Sequence, residues 1–599
     1  MQDRLSRADA PVEQTWDLSD LFATPAHWEA EFAALDAARA DVEPYQGRLG
    51  ESAATLRACL DAAESLQARF MRLGAFAELR YSQDGTNAQY QAELARVTAL
   101  SARLGASIAF VDSETLALPD GVVERFLGED AGLAPHRVRL GLLMETRPHR
   151  LGAETEGVLA ALGEVLGSPY MVWARSKSSD IQFASFTDAQ GTTRPNSFNL
   201  YEATYESHVD AGVRRGAWAS FSAGLKAYNN TWSGTFATEV KKNIATGRLR
   251  GYDSTEAYLL QGHQVPVGLY TNILQIIRTE LAPHMRRYAK LRQRVLGLDK
   301  LLHCDLRAPL DAEFEPHISY EQACDTILDA FKPMGTDYVE FARKTLTSRW
   351  VDYADNVGKS GGAFCYTPYG AHPYILITWA NTTRNVFTLA HELGHGGHFG
   401  LAISHQRYVN MEPAMPFIEA PSIMNEMLLA RHILASSDDA RTRRSVIMQL
   451  LGTYHHNFVT HLLEAELQHR VYALAEGGEA VTAALLNQCK GEVLAEFWGD
   501  AMEVDDGARM TWMRQPHYYM GLYPYTYSVG LVVSTAMATR VAEEGEPAVQ
   551  RWLQVLKAGG TLKPLELAQL AGVDLSSPEP IRAAVAYVGS LVDELEKSF

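Results

Sequence analysis

Apolar and polar positions alternate with a helical period through most of this chain. From about Trp28 to Arg69 and from Ala88 to Ser107, apolar residues recur every three or four positions between charged ones, the pattern of amphipathic helices that must bury one face. Segments from Val122 to Leu127 and from Glu154 to Leu166 continue it. It returns from His208 to Leu296, punctuated by Asn229, Asn230 and Gly251, then from Arg441 to Ala473, Val481 to Trp498 and Pro580 to Lys597. Two regions switch to a period of two. Ile181 to Phe186 and Thr192 to Arg194 flank Asp188-Ala189-Gln190-Gly191 and predict a hairpin. Gly362 to Tyr366 and Pro373 to Trp379 predict a small sheet. The expected fold is mainly α, with a helical domain over 1–200 that ends in the hairpin and a second domain over 201–599.

Directly after the second β-like region comes Thr388-Leu389-Ala390-His391-Glu392-Leu393-Gly394-His395. At 3.6 residues per turn, His391 and His395 stack on one helix face and can present two imidazole nitrogens to one ion. Glu392 lies on the flank, where it can accept a proton from water without being a ligand. Three fixed residues in five recur by chance in roughly a few per cent of chains this long, so a third ligand decides. Glu419 is the candidate, in Phe417-Ile418-Glu419-Ala420-Pro421-Ser422, which opens a further helix with Pro421 in its first turn. Two imidazoles and a carboxylate leave one tetrahedral position open, the mark of a catalytic rather than a structural zinc, one per chain. Glu426 is either a partner that orients a ligating imidazole or an ordinary helix glutamate. His398 faces the metal side, but with three ligands assigned it is expected to be packed or hydrogen-bonded. Val386, Leu389, Leu393, Gly397 and Gly400 fall on the opposite face, which should pack inward. Gly394, Gly396, Gly397 and Gly400 each weaken an isolated helix by up to about 1 kcal/mol and predict close approach of neighbouring backbone.

Composition narrows the class. At 599 residues and 47% hydrophobic, the chain has material for a large core and at least two lobes. Cys59, Cys304, Cys324, Cys365 and Cys489 are few and scattered, which argues for a reducing compartment. The start, Met1-Gln2-Asp3-Arg4-Leu5, is polar, and no run of about 18 apolar residues occurs. A cytoplasmic protein with no membrane partner is expected. The net charge of −18 is spread through the chain and disfavours nucleic acid.

The extended motif Phe387 to His395, followed by Glu419 in Glu-x-Pro-Ser, resembles the oligoendopeptidase F and thimet oligopeptidase group of zinc metallopeptidases. Trp16-Asp17-Leu18-Ser19-Asp20-Leu21 and Pro516-His517-Tyr518-Tyr519 resemble the oligoendopeptidase F branch, so the similarity spans nearly the whole chain. The resemblance implies two helical lobes around a deep channel, a zincin-type helix beside a small sheet, and hydrolysis of internal bonds of short unstructured peptides, roughly 5–20 residues at about 3.3 Å each. It also bears on Pro516 to Tyr527, where five tyrosines and a histidine fall in twelve residues. Composition alone reads this stretch as core or interface. Related zinc peptidases place an oxyanion-stabilising His and Tyr on such a segment, which implies His517 and Tyr527, with Tyr523 as the substitute. Its spacing departs from the thimet type. The strand near Tyr374 to Trp379 either pairs with substrate backbone or only supports the helix. The alternatives are a dipeptidyl carboxypeptidase of the same superfamily and a non-catalytic peptide-binding protein. A structural metal site in a scaffold protein would call for a closed set of four ligands that includes cysteine.

Overall fold

The periodic segments fold as helices in the computed structural model, which describes residues 4–599; the polar start at residues 1–3 lies outside the described residues. The run from Trp28 to Arg69 holds two helices, Pro25–Ala38 and Ala53–Gln83. Each opens on a hydroxyl cap, Thr24 accepting from the His27 N–H and Ser52 from the Thr55 N–H. Between them Gly47 sits at a φ of 78°, which ends any continuous helix. Ala88–Ala117 and Glu154–Asp180 are long and apolar enough to cross a bilayer by composition alone. The first instead buries Val97, Leu100 and Leu104 among Leu66, Leu73 and Phe76. The second is anchored through buried Trp173, whose indole N–H donates to the Met513 carbonyl at 3.2 Å. All five cysteines are free.

The chain groups into two compact units, each assembled from three separate stretches. One runs to Pro148 and includes Pro316–His432 and Met537–Gly572; the other comprises His149–Glu315, Ile433–Ala536 and Val573–Phe599. The division at residue 200 is not among these breaks. Reading along the chain can only cut contiguous pieces, whereas packing returns distant stretches to one core. The buried cluster of the first unit shows this, joining Trp16, Trp28 and Phe76 to Tyr374 and Leu376.

The strands are short: β1 (Phe186–Thr187), β2 (Thr193–Arg194), β3 (Val351–Asp352), β4 (Phe364–Tyr366) and β5 (Tyr374–Leu376). In the second unit β1 and β2 form the expected hairpin, closed by Asp188, whose carboxylate accepts from the Thr192 N–H and from Arg194. In the first unit the order is β3-β5-β4, with β3 parallel and β4 antiparallel to β5. This corrects one expectation. β5, the strand singled out for pairing with substrate, is central, and its ladder is filled on both sides. The outer side of β3 is covered too, because Tyr353 N–H donates to the Gln14 carbonyl and Asp17 N–H to that of Arg349. The edge of this sheet is β4. The Trp16 motif earns its place here: its indole donates to Gln83 at 2.7 Å and packs edge-on to Tyr374, 6.3 Å between ring centres.

Candidate active site

The metal motif lies on the helix Thr383–His405, capped by Thr382, whose hydroxyl accepts from the Asn385 N–H. Val386, Leu389 and Leu393 are buried, as expected of the face away from the ligands. The glycines need a finer reading. A Cβ on Gly394 would lie 2.5 Å from the Pro421 carbonyl oxygen and the Ser422 Cα, so here backbone does approach backbone. Gly396, Gly397 and Gly400 instead make room for the side chains of Pro373, Tyr338 and Phe341. Gly394→Ala is therefore expected to destabilise the protein by about 1–3 kcal/mol through overpacking and to displace Glu419. Denaturant unfolding measures the first effect.

Glu419 begins the helix Glu419–Ser436. A bond from Asn425 to the Ala390 carbonyl locks it to the motif helix, and the Tyr338 hydroxyl, on the helix Thr336–Thr347, donates to Asn425. The Glu419 Oε2 sits 3.4 Å from His391 Nε2 and 3.6 Å from His395 Nε2. Ligands at about 2.0–2.2 Å from a tetrahedral zinc lie about 3.3–3.6 Å from one another, so both carboxylate–imidazole separations fit a zinc site, and all three ligand atoms lie within 4.8 Å of one another. His391 Nδ1 is 2.7 Å from Glu426 Oε1. Donation of that N–H to the carboxylate leaves the Nε2 lone pair toward the ion's position, so of the two readings of Glu426 the orienting one fits the geometry.

Electrostatics agree. Burial disfavours a charged His391 ring, yet Glu419 and Glu426 outweigh it and raise its pKa well above the ordinary value. Burial also works against an ionised Glu419, but His395 and His391 bring it down to about 2. His395 is lowered to about 4, chiefly by burial. This pocket therefore attracts a cation, a proton or a metal, to the point the three residues share. Glu392 is 6% exposed, and burial raises its carboxyl to about 7. The adjacent Cys365 backbone N–H, on β4, works the other way. His398 is fully packed beside Phe399, with neither ring nitrogen hydrogen-bonded.

The aromatic segment belongs to the second unit. Tyr518 and Tyr525 are core, Tyr525 reaching His263, while the Tyr519 hydroxyl is bonded to Thr235. Half-buried Tyr523 and Tyr527 pack edge-on to one another, and both rings lie against His517 at 5.4 and 5.8 Å. Reading the sequence missed the neighbours. Glu464 Oε2 lies 3.0 Å from Nδ1 of both His517 and His461, and His461 stacks on Tyr527 at 4.3 Å. The available signal was His461 and Glu464 at i and i+3 within an otherwise apolar run. His461, Glu464 and His517 could in principle hold an ion. Their 3.0 Å separations are instead those of hydrogen bonds. A third group, Asp61, Glu64 and His136, already has its cation in Arg407.

Comparison with known proteins fits this arrangement. The family model described as Peptidase family M3 matches residues 204–587. The chain belongs to peptidase family M3. A second model, Oligopeptidase F, matches residues 114–183 of this M3 peptidase. The protein is 31% identical to Oligopeptidase PepF of Bacillus subtilis, over 99% of this chain and 88% of that one. It is 28% identical to an Oligoendopeptidase F homolog of Lactococcus lactis, over 99% and 98%. Among solved structures, a peptidase from Chlamydophila abortus superposes with a TM-score of 0.90 over 100% of both chains at 24% identity. Oligoendopeptidase-F from Enterococcus faecium superposes with a TM-score of 0.75 at 24% identity, over 95% of this chain and 98% of that one. The resemblance read from Phe387 to His395 and Glu419 thus holds along the full chain, and the M3 peptidase has the helical fold of the oligoendopeptidase F proteins.

Proposed function

We propose that this M3 peptidase is a zinc-dependent endopeptidase that cleaves internal bonds of short, unstructured oligopeptides. The observation that carries the reading is the spacing of His391, His395 and Glu419, with buried Glu392 beside them. Zinc bound by these three would supply a Lewis acid that polarises the peptide carbonyl and makes water nucleophilic at neutral pH. Glu392 accepts the proton of the attacking water and returns it to the departing amine. Glu426 keeps the proton of His391 on Nδ1. The edge of β4, not β5, is the strand that takes an extended substrate backbone, its Cys365 N–H lying next to Glu392. The resemblance assigns oxyanion stabilisation to His517 and Tyr527, with Tyr523 as the substitute. No Ser, Cys or Asp nucleophile is required.

The endo mode is supported by the name of the Lactococcus lactis relative, an oligoendopeptidase F homolog. The test is mass spectrometry of products from a mixed-length peptide pool and from folded and unfolded forms of one protein. Internal cuts in short peptides, with the folded protein intact, are expected, since only an extended segment can pair with β4. Release of C-terminal dipeptides alone would establish the dipeptidyl carboxypeptidase reading instead.

A separate expectation concerns Glu426. Glu426→Ala should weaken metal binding about 10- to 100-fold, the usual loss when a ligating histidine's outer partner is removed. Glu419→Ala should weaken it further. Competition with a chelator of known affinity measures both, and an unchanged metal affinity for Glu419→Ala would remove that residue from the ligand set.

A further inference from the structure

The second unit contains a cavity of about 70 Å³. At the ~10–15 Å³ that a single water requires, this is room for a few waters or for one group the size of a carboxylate or phosphate. Glu206, Arg307, Glu464, Lys490 and Arg514 line it, together with His303 and His455. Most of these charges are already matched. Arg514 holds Glu206 at 2.9 Å and Glu202 at 3.0 Å, and Arg307 lies 3.4 Å from Glu206. Glu464 is engaged by His461 and His517.

Lys490 is the exception. It is 4% exposed, and among the described residues its ammonium has neither a hydrogen bond nor an ion pair; the counter-charge acting on it from farther away is Glu464, whose carboxylate is already held by two histidines. Burial lowers its pKa only to about 8, so it still carries a proton at neutral pH. A buried charge without a bonded partner is strongly disfavoured. His303 Nδ1 and His455 Nε2 are likewise buried without partners. Burial holds both rings neutral, with pKa values of about 3, so each can turn one N–H toward an acceptor. Stacking on Trp218, 5.3 Å between ring centres, fixes the His303 ring. A cation with no bonded partner and two unpartnered ring nitrogens around one cavity lack the same thing, an oxygen acceptor within hydrogen-bond reach.

We propose that this cavity binds a small oxyanion, a carboxylate or a phosphate, on the Lys490 ammonium. Two sources share that chemistry, the carboxylate of a peptide substrate and a free anion. None of the lining residues belongs to the metal tripod, so binding here stands apart from the zinc reading. Because Glu464 forms part of the wall and also holds His517, an occupant would alter the setting of that histidine.

The test titrates inorganic phosphate and acetate by calorimetry into the wild-type protein and into Lys490→Met and Lys490→Gln. A parallel arm uses the catalytically silenced Glu392→Gln background with one peptide as the free acid and as the C-terminal amide. In the wild type either a free anion or the acid peptide, in preference to its amide, is expected to bind. Both Lys490 variants should weaken that binding about 10- to 100-fold, the worth of one hydrogen bond to a charged group. Binding of phosphate or acetate identifies a free-anion site; a preference for the acid peptide alone identifies a substrate subsite. If the wild type binds neither anion and does not distinguish acid from amide, the proposal is overturned without recourse to a variant. Equal anion binding by wild type and a folded Lys490 variant also overturns it. The wild type and the Lys490 variants are compared after the same treatment with chelator, which removes anion binding to a metal at His391, His395 and Glu419, so the two readings fail independently.

Discussion

Glu392→Gln is expected to keep its metal and lose roughly 100- to 10,000-fold in kcat, the range set by a positioned general base. The substitution preserves shape and hydrogen-bonding reach within a site where Glu392 is 6% exposed, so a fall in activity without a fall in metal content isolates the proton transfer. Burial sets the sign of the pH dependence. The carboxyl is raised to about 7 without a metal, and a bound cation would draw it lower. Activity that needs the ionised form should therefore disappear as pH falls through a value at or below about 7, and the residual activity of Glu392→Gln should lack that acid limb. Near-wild-type turnover in the variant would remove Glu392 from the mechanism.

Tyr527→Phe and His517→Ala should each lower kcat by roughly 100- to 1,000-fold, or about 2.7–4 kcal/mol, with little change in KM. Donors to an oxyanion act mainly in the transition state, which is why the effect belongs in kcat. Of the other tyrosines in the segment, Tyr518 and Tyr525 are buried and the Tyr519 hydroxyl is bonded to Thr235, so the variants compare Tyr527 with Tyr523. If Tyr523→Phe carries the loss and Tyr527→Phe is nearly silent, the roles of the two rings beside His517 are exchanged and the segment keeps its function. Steady-state kinetics on one fluorogenic peptide, across the three variants, separates these cases.

What could be read from the chain follows the range over which each signal acts. Helices were legible because an amphipathic period is local, and His391 and His395 because their i, i+4 spacing stacks them on one helix face; Glu419, on a separate helix, was a candidate that rested on the family resemblance. The break between Ala38 and Ala53 was not placed, because the apolar period continues across a stretch in which Gly47 takes a positive φ. Strand order was not legible. Val351–Asp352 is too short to alternate, so nothing announced β3 or revealed that β5 would lie between two neighbours. The discontinuous units depend on contacts such as Trp16 with Tyr374, which no local pattern encodes. Glu464 escaped notice for a different reason: its i, i+3 pairing with His461 looks like any helix pair until burial shows that one carboxylate holds two histidines.

If one zinc held by His391, His395 and Glu419 is required for peptide hydrolysis, metal content and activity must rise and fall together. The direct measurement is metal content by mass spectrometry alongside peptidase activity on the same preparation, before and after dialysis against chelator and again after addition of zinc. One zinc per active chain is expected, with loss of activity in step with loss of metal and recovery on zinc addition. Full activity in a preparation with far less than one divalent ion per chain would contradict it.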